Sequence, residues 1–294
     1  LDVLAYNTHY LGYNANMLAN EMYLDSADQR TSVVSLAKQV GYTPRSANSA
    51  IATIDVLVNN ASGAALTMAR GTKFTTTVDS TNYSFVNNSS VSITPIDGVY
   101  KFSNLDIYEG TYLNYKYTAN TSDTDQRFII PNDNVDTTTL TVKVQESNSD
   151  TTTNTYTLAS GVTGIDSTSK VYFIQEVEDG RFEVYFGDGV LGQSIKDGNI
   201  VILDYITCNR AEANGASAFT LSGSIGNFSN VTITTLNNAA NGDDPESIKS
   251  IKYNAPRDYS AQDRAVTAED YKVLVKSLYA NAQSVQVYGG EDAA

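Results

Sequence analysis

The sequence predicts an α+β fold with N-terminal helices and a long, mostly antiparallel β middle carrying an inserted β-domain. A truncated C-terminal helix-plus-strand module completes it. Three observations predict this. Apolar residues recur at steps of three and four near the N-terminus, at steps of two from Thr53 onward, and at steps of three and four again after Thr267. At 294 residues the chain is long enough for about two domains with sizeable cores.

Val3, Tyr6, Tyr10, Tyr13 and Met17 form the first pattern, flanked by Leu4, Leu11 and Leu18 at seven-residue spacing. This is an a/d seam. It suits a helix packed on its own domain, or one contributed to an intersubunit bundle whose tyrosines keep one edge wet. A second helix is expected over 27–40, capped by Asp25 or Ser26. Val33, Leu36, Ala37 and Val40 would be its apolar face, and Gly41 and Pro44 would stop it.

From Thr53 the period becomes two, with Ile54, Val56 and Val58 alternating with polar neighbours. Strands are expected at 74–78, 83–86, 91–94, 99–102, 112–118, 139–145, 155–158, 171–177, 182–186 and 200–206, separated by short turns. The stretches 118–125 and 146–155 are almost wholly Ser, Thr, Asn and Asp and read as loops of an inserted domain. The expected division is 1–52 helical, 53–73 with 166–240 as a central β-domain, 74–165 as the insert, and 241–294 as an incomplete α/β module. In that module Thr267 should cap a helix over 268–278, with Glu269 and Asp270 in its first turn. Tyr271, Leu274, Val275 and Leu278 are expected to face inward, over a strand containing Val285 and Val287. The chain starts at Leu1 without methionine and ends soon after that run, so a longer parent polypeptide is expected.

Two turn motifs carry more than periodicity. One is Phe186-Gly187-Asp188-Gly189, where glycines allow a tight hairpin. The other runs Gly242-x-Asp244-x-Glu246-Ser247, then Ala255-Pro256, then Arg264-Ala265-Val266-Thr267-x-x-Asp270-Tyr271. With Leu24-Asp25-Ser26-Ala27 and Gly41-Tyr42-Thr43-Pro44, these words resemble the baseplate J-like family of contractile phage tails, closest to the wedge subunits of T-even-type phages. The resemblance implies a structural, non-enzymatic virion protein of the tail baseplate, made and assembled in the host bacterial cytoplasm. It implies partners too: a homodimer mate, other wedge proteins through a helical bundle, and the sheath-initiating baseplate protein. Its implied task is to link wedges into a ring around the hub and to rearrange on contraction. A different class, a β-rich adhesin or carbohydrate-binding module using exposed tyrosines, remains open on composition alone.

Charge and residue counts exclude much chemistry. A formal charge of −14, with Lys and Arg scattered singly, argues against nucleic acid as a partner. No apolar run approaches the roughly 20 residues of a membrane helix, so no membrane insertion is expected. Cys208 is the lone cysteine and His9 the lone histidine, so no internal disulfide and no His/Cys zinc set can be assembled. Asn132-Asp133-Asn134-Val135-Asp136 hints at a calcium loop but lacks the glycine, and Lys143 stands where the closing glutamate belongs. Gly187-Asp188-Gly189 has no following Lys-Ser/Thr, so it reads as a turn and not a phosphate loop. No cofactor is expected. One basic stretch stands out: over 249–276 the six bases Lys249, Lys252, Arg257, Arg264, Lys272 and Lys276 face four acids, a net of +2. It reads as a solvated helix face or as a dock for an acidic neighbour, with Arg257 and Arg264 the candidate contacts. Thermal melts with and without a chelator are expected to coincide; a chelator-induced drop of more than a few degrees would reveal a structural metal.

Overall fold

The computed structural model describes residues 2–59, 65–123, 126–159, 164–261, 264–279, 282 and 284–289. Gln262 and Asp263, Asp125, and the terminal 290–294 lie outside the described residues. Two compact units result. One gathers Leu1–Arg45, Gln175–Phe182 and Glu246–Ala294; the other holds Ser46–Ile174 and Glu183–Pro245.

The second unit is β apart from one short 3-10 turn at Arg210–Ala213. Its six-stranded sheet runs β14 (Thr220–Ser222), β3 (Lys73–Val78), β4 (Thr81–Asn87), β6 (Val99–Glu109), β1 (Ile51–Asn59) and β15 (Thr232–Ala240). Strand β1 shows why these residues make a sheet: Ala52, Ile54, Val56 and Val58 are fully buried on one face while alternate residues are not. They join Phe74, Phe85, Phe102, Leu105, Ile107 and Phe219 in one core, where Phe85 meets Phe219 edge-on at 4.9 Å. A short pair, β2 (Leu66–Met68) with β5 (Val91–Ile93), stands apart from both large sheets.

The seven-stranded sheet runs β7 (Thr111–Thr118), β13 (Ile200–Thr207), β9 (Val135–Gln145), β10 (Thr153–Leu158), β11 (Val171–Glu176), β12 (Phe182–Phe186) and β8 (Phe128–Ile129). Strands β7 and β8 end the order, yet Tyr117 Oη donates to the Ile129 carbonyl at 2.6 Å and its ring meets Phe128 at 5.7 Å. The sheet therefore curls until its ends approach. Strand β13, between β7 and β9, is buried on both faces. It carries Asp204, which accepts from Tyr112 Oη (2.8 Å), Asn114 Nδ2 (2.6 Å) and Lys143 Nζ (3.1 Å), with Arg70 at 3.6 Å. Burial alone would push this carboxyl up; the hydrogen bonds and Lys143 more than offset that, and it sits below its ordinary value.

The strands of 74–165, β5 apart, are divided between the two large sheets. Strands β3, β4 and β6 share a sheet with β1 and β15, whereas β7, β9 and β10 share the other with β13 and β11. A period of two locates strands but carries no record of which strands pair.

The other unit is built on α2 (Arg30–Gln39) and α3 (Ile248–Ala261), preceded by α1 (Asp2–Asn20) and followed by α4 (Ala268–Leu278). Ala27, Val33, Val34, Ala37, Ile251 and Ala255 form its small core, with Leu36 and Val40 packed against it. Helix α2 starts at Arg30, three residues later than expected, and neither Asp25 nor Ser26 caps it. Instead the Glu21 carboxylate accepts from the Asp28 and Gln29 amides at 2.9 and 3.3 Å and so fixes the approach from upstream. The C-terminal expectation divides. Helix α4 begins at Ala268 as read, but residues 284–289 pair with no strand. Leu274 is half-buried, while Tyr271, Val275 and Leu278 are exposed instead of facing inward.

Removing the charge at Asp204 leaves Arg70 and Lys143 facing a neutral group, so Asp204→Asn should lower unfolding free energy by about 3 kcal/mol at neutral pH. The depressed carboxyl contributes stability above 3.8, the ordinary Asp value, and loses it as the pH falls through the lower folded value. Denaturant melts should show the gap between variant and parent closing in acid. A gap that stays constant down to about pH 2 assigns the effect to packing instead.

Candidate partner-binding surface

Helix α1 is the feature that its own chain leaves uncovered. None of its described residues is buried. The seam is exposed from end to end: Val3 84%, Tyr6 64%, Tyr10 49%, Tyr13 58% and Met17 45%. Tyr6 and Tyr10 lie one turn apart with ring centroids at 4.7 Å and hydroxyls at 3.2 Å, so the aromatic row is ordered along the helix. Leu4, Leu11 and Leu18, also exposed, lie about 120° around the helix from that row. Thr8, Ala15 and Met22 interleave with them at steps of three and four, giving a second seam that the seven-residue spacing of the leucines had signalled. Nineteen residues is near the length at which an isolated helix is marginal in water, and such helices normally owe their order to burial of an apolar face.

The Gly187-Asp188-Gly189 hairpin is a rigid turn. A Cβ on Gly187 would lie 2.2 Å from the Leu191 carbonyl oxygen, so only glycine fits. The Asp188 carboxylate accepts from the Val190 and Leu191 amides at 2.9 and 3.0 Å, which holds its pKa below the ordinary value. Gly189 takes φ +89°. Asn132, Asn134 and Asp136 likewise serve the fold: they bind Tyr205 Oη, the Arg210 guanidinium and the Ser49 amide.

The second motif divides by task. At Gly242 a Cβ would lie 2.2 Å from the Arg210 carbonyl oxygen, and Asn214 bridges the Gly242 amide and carbonyl through its own amide group. Asp244 pairs with Arg210 at 3.0 Å on the surface. Glu246 is buried, and its carboxylate accepts from Tyr42, Arg45, Ser250 and Asn254. Thr267 and Asp270 form a reciprocal capping box: Thr267 Oγ1 accepts from the Asp270 amide at 3.2 Å, and the Asp270 carboxylate accepts from the Thr267 amide at 2.8 Å.

The basic face is largely committed to its own unit. The Arg257 guanidinium lies 3.5 Å over the Tyr253 ring and donates to the Tyr253 carbonyl. Lys252 donates to the Asp25 carbonyl, and Lys272 pairs with Glu269. Arg264 stands in the exposed lead-in to α4; the Asp270 carboxyl sits below its ordinary pKa chiefly because it accepts from the Thr267 amide, with a smaller contribution from the Arg264 charge.

Residues 114–215, which span most of the seven-stranded sheet, match the family model described as bacteriophage baseplate wedge protein gp6, third domain. The chain is 27% identical to baseplate wedge protein gp6 of Enterobacteria phage T4, over 98% of this chain and 46% of that protein. It therefore spans about half the length of the curated relative it matches. The resemblance to baseplate wedge subunits read from the turn motifs is shown by these matches.

Because α1 buries nothing against its own chain, changing Tyr6, Tyr10 and Tyr13 together to Ser should move the melting temperature of the isolated chain by no more than about 2 °C. Calorimetry checks this. A larger drop would make the seam part of the chain's own core.

Proposed function

We propose that this chain is a structural part of the baseplate wedge of a contractile phage tail, linking wedges into a ring around the hub and rearranging when the sheath contracts. The observation that carries the reading is the similarity to a baseplate wedge protein along nearly the whole chain. The uncovered helix supports it. A protein whose work is assembly must hold apolar surface in reserve, and α1 holds two seams of it.

In this reading α1 enters a helical bundle with another wedge protein, and the chain associates with a second copy of itself. The sheath-initiating baseplate protein is a further partner. The α3–α4 region, with Arg257 and Arg264, makes the contact between neighbouring wedges. The site is the virion's tail baseplate, reached by assembly in the host cytoplasm, and the role needs neither cofactor nor catalytic group. A ring that must widen needs one interface that persists and another that rotates. An apolar helical bundle suits the first, and a polar, charge-set contact suits the second.

Mixing the protein with candidate tail proteins and measuring complex mass tests the assignment. The parent should form a wedge complex, and the Tyr6, Tyr10 and Tyr13 to Ser variant should lose it. Arg264→Glu should leave single wedges intact but reduce their closure into rings under the electron microscope. Survival of the complex in the triple variant would remove the seam from the interface, and normal rings from Arg264→Glu would place the inter-wedge contact elsewhere.

A further inference from the structure

Between β6 and β7 the chain leaves the six-stranded sheet and enters the seven-stranded one, and Glu109 is its last residue in the first. The crossing is tight. A Cβ on Gly110, at φ +132°, would fall 2.1 Å from the Thr207 carbonyl oxygen at the end of β13. Glu109 N donates to the Ala50 carbonyl and Gly110 N to the Ser84 carbonyl, both at 2.8 Å, so the backbone here still belongs to the first sheet. The Glu109 side chain reaches the other way. It is fully buried, and its carboxylate accepts from Asn209 N and Asn209 Nδ2, each at 2.7 Å, just past β13. Glu109 therefore ties the two sheets together.

A second carboxylate makes the reverse tie with more support. Asp136 on β9 accepts from Ser49 N, ahead of β1, at 2.9 Å, and also from Thr138 N and Thr138 Oγ1 at 3.0 and 2.6 Å. Glu109 has both its donors on one neutral residue, and among the described residues no cation pairs with it. The groups around it do not compensate. Arg210, next along from Asn209, turns its guanidinium to Asn134 and Asp244. Glu212 on the 3-10 turn adds like charge. Tyr83 on β4 and the Cys208 thiol, both raised by burial and further by nearby carboxylates including Glu109, stay neutral. Loss of water thus dominates, and it raises the Glu109 carboxyl above 4.5, the ordinary Glu value.

We propose that Glu109 is a proton-controlled latch between the two large sheets: ionised, it holds the β6–β7 crossing at a cost and lets it open; protonated, it locks the crossing shut. The neutral acid keeps two hydrogen bonds. Its hydroxyl donates to Asn209 Oδ1 once that amide turns over, while its other oxygen still accepts from Asn209 N. A raised carboxyl contributes stability that is complete below 4.5 and lost as the pH rises through the folded value, the opposite sense to Asp204. The latch does not rest on the wedge assignment, since every group in it lies within the β-unit.

Hydrogen exchange on the full chain, corrected for intrinsic rates, tests it at the Gly110 and Asn209 amides, whose acceptors are the Ser84 carbonyl and Glu109 itself. Opening there should be more frequent at about pH 7.5 than at about pH 4.5, by about tenfold for each unit by which the fold raises the carboxyl. Glu109→Gln, neutral at every pH, should flatten that dependence to less than about twofold. In denaturant it should also outlast the parent at about pH 7.5, with the advantage closing by about pH 4.5. Equal opening of the parent at both pH values overturns the proposal, as does a pH dependence that persists in Glu109→Gln. A Glu109→Gln chain less stable than the parent by the same margin at both pH values would make Glu109 a plain structural acceptor. If that variant fails to fold, the parent's exchange profile decides alone.

Discussion

One buried carboxylate organises the helical unit. Glu246 accepts from Tyr42 Oη at 2.8 and 2.9 Å, Arg45 N at 3.2 Å, Ser250 Oγ at 2.6 Å and Asn254 Nδ2 at 2.8 Å. Its backbone carbonyl accepts from Arg30, whose guanidinium also grips Glu176 in a two-point pair at 2.7 and 2.8 Å. Three stretches far apart in the chain therefore meet on one residue and its neighbour. The apolar core beside them is small and rich in alanine and valine, and small side chains interlock too weakly to set the relation of α2 to α3 uniquely. A charge taken out of water tolerates little movement, because each lost hydrogen bond leaves it exposed to the full desolvation penalty. Burial and the adjacent carboxylate push the Tyr42 hydroxyl well above its ordinary pKa, so it remains a donor at any pH the fold meets.

The β-unit works by the opposite means. Its cores are large and aromatic, and polar groups enter chiefly where strands need a lateral tie, as at Asp204. The apolar side chains are thus distributed unequally between the units. Phenylalanine and the branched aliphatics fill the sheets, while tyrosine and leucine on α1 are left facing water. Tyrosine tolerates this waiting state well, because its ring buries like a hydrophobe and its hydroxyl stays hydrated.

The sequence made the elements legible and left their associations hidden. The period-two run from Ile54 to Val58 became β1, and the Thr267 to Asp270 spacing became a capping box, since both signals are local. Pairing was not local: β1 lies between β6 and β15, the latter nearly two hundred residues away, and nothing in either strand names the other. Strands β14 and β15 were passed over because their residues are mostly Thr, Ser and Asn, and edge positions require little apolar character. The α2 cap was misplaced because the group that fixes its approach, Glu21, sits seven residues upstream of the amide it binds. On the surface, the α1 seam was readable from spacing, but whether it faced inward depended on the rest of the chain. The apolar residues of 182–191 read as packing against a core; Phe182 and Val184 do so, whereas Val190 and Leu191 protrude, since aliphatics beside a glycine turn look the same in sequence either way.

Helix α1 and the hairpin at 187–192 hold their exposed apolar side chains on different supports. Helix α1 is long and buries none of its described residues, so a partner that covered it, as proposed, would also meet the entropy cost of fixing its side chains and ends. The backbone of the hairpin at 187–192, by contrast, is already fixed by the Asp188 hydrogen bonds. Net charge sets the background for both. At −14, copies of this chain repel one another over a Debye length, and apolar contacts between them must act at close range against that repulsion. A large bundle can overcome it outright.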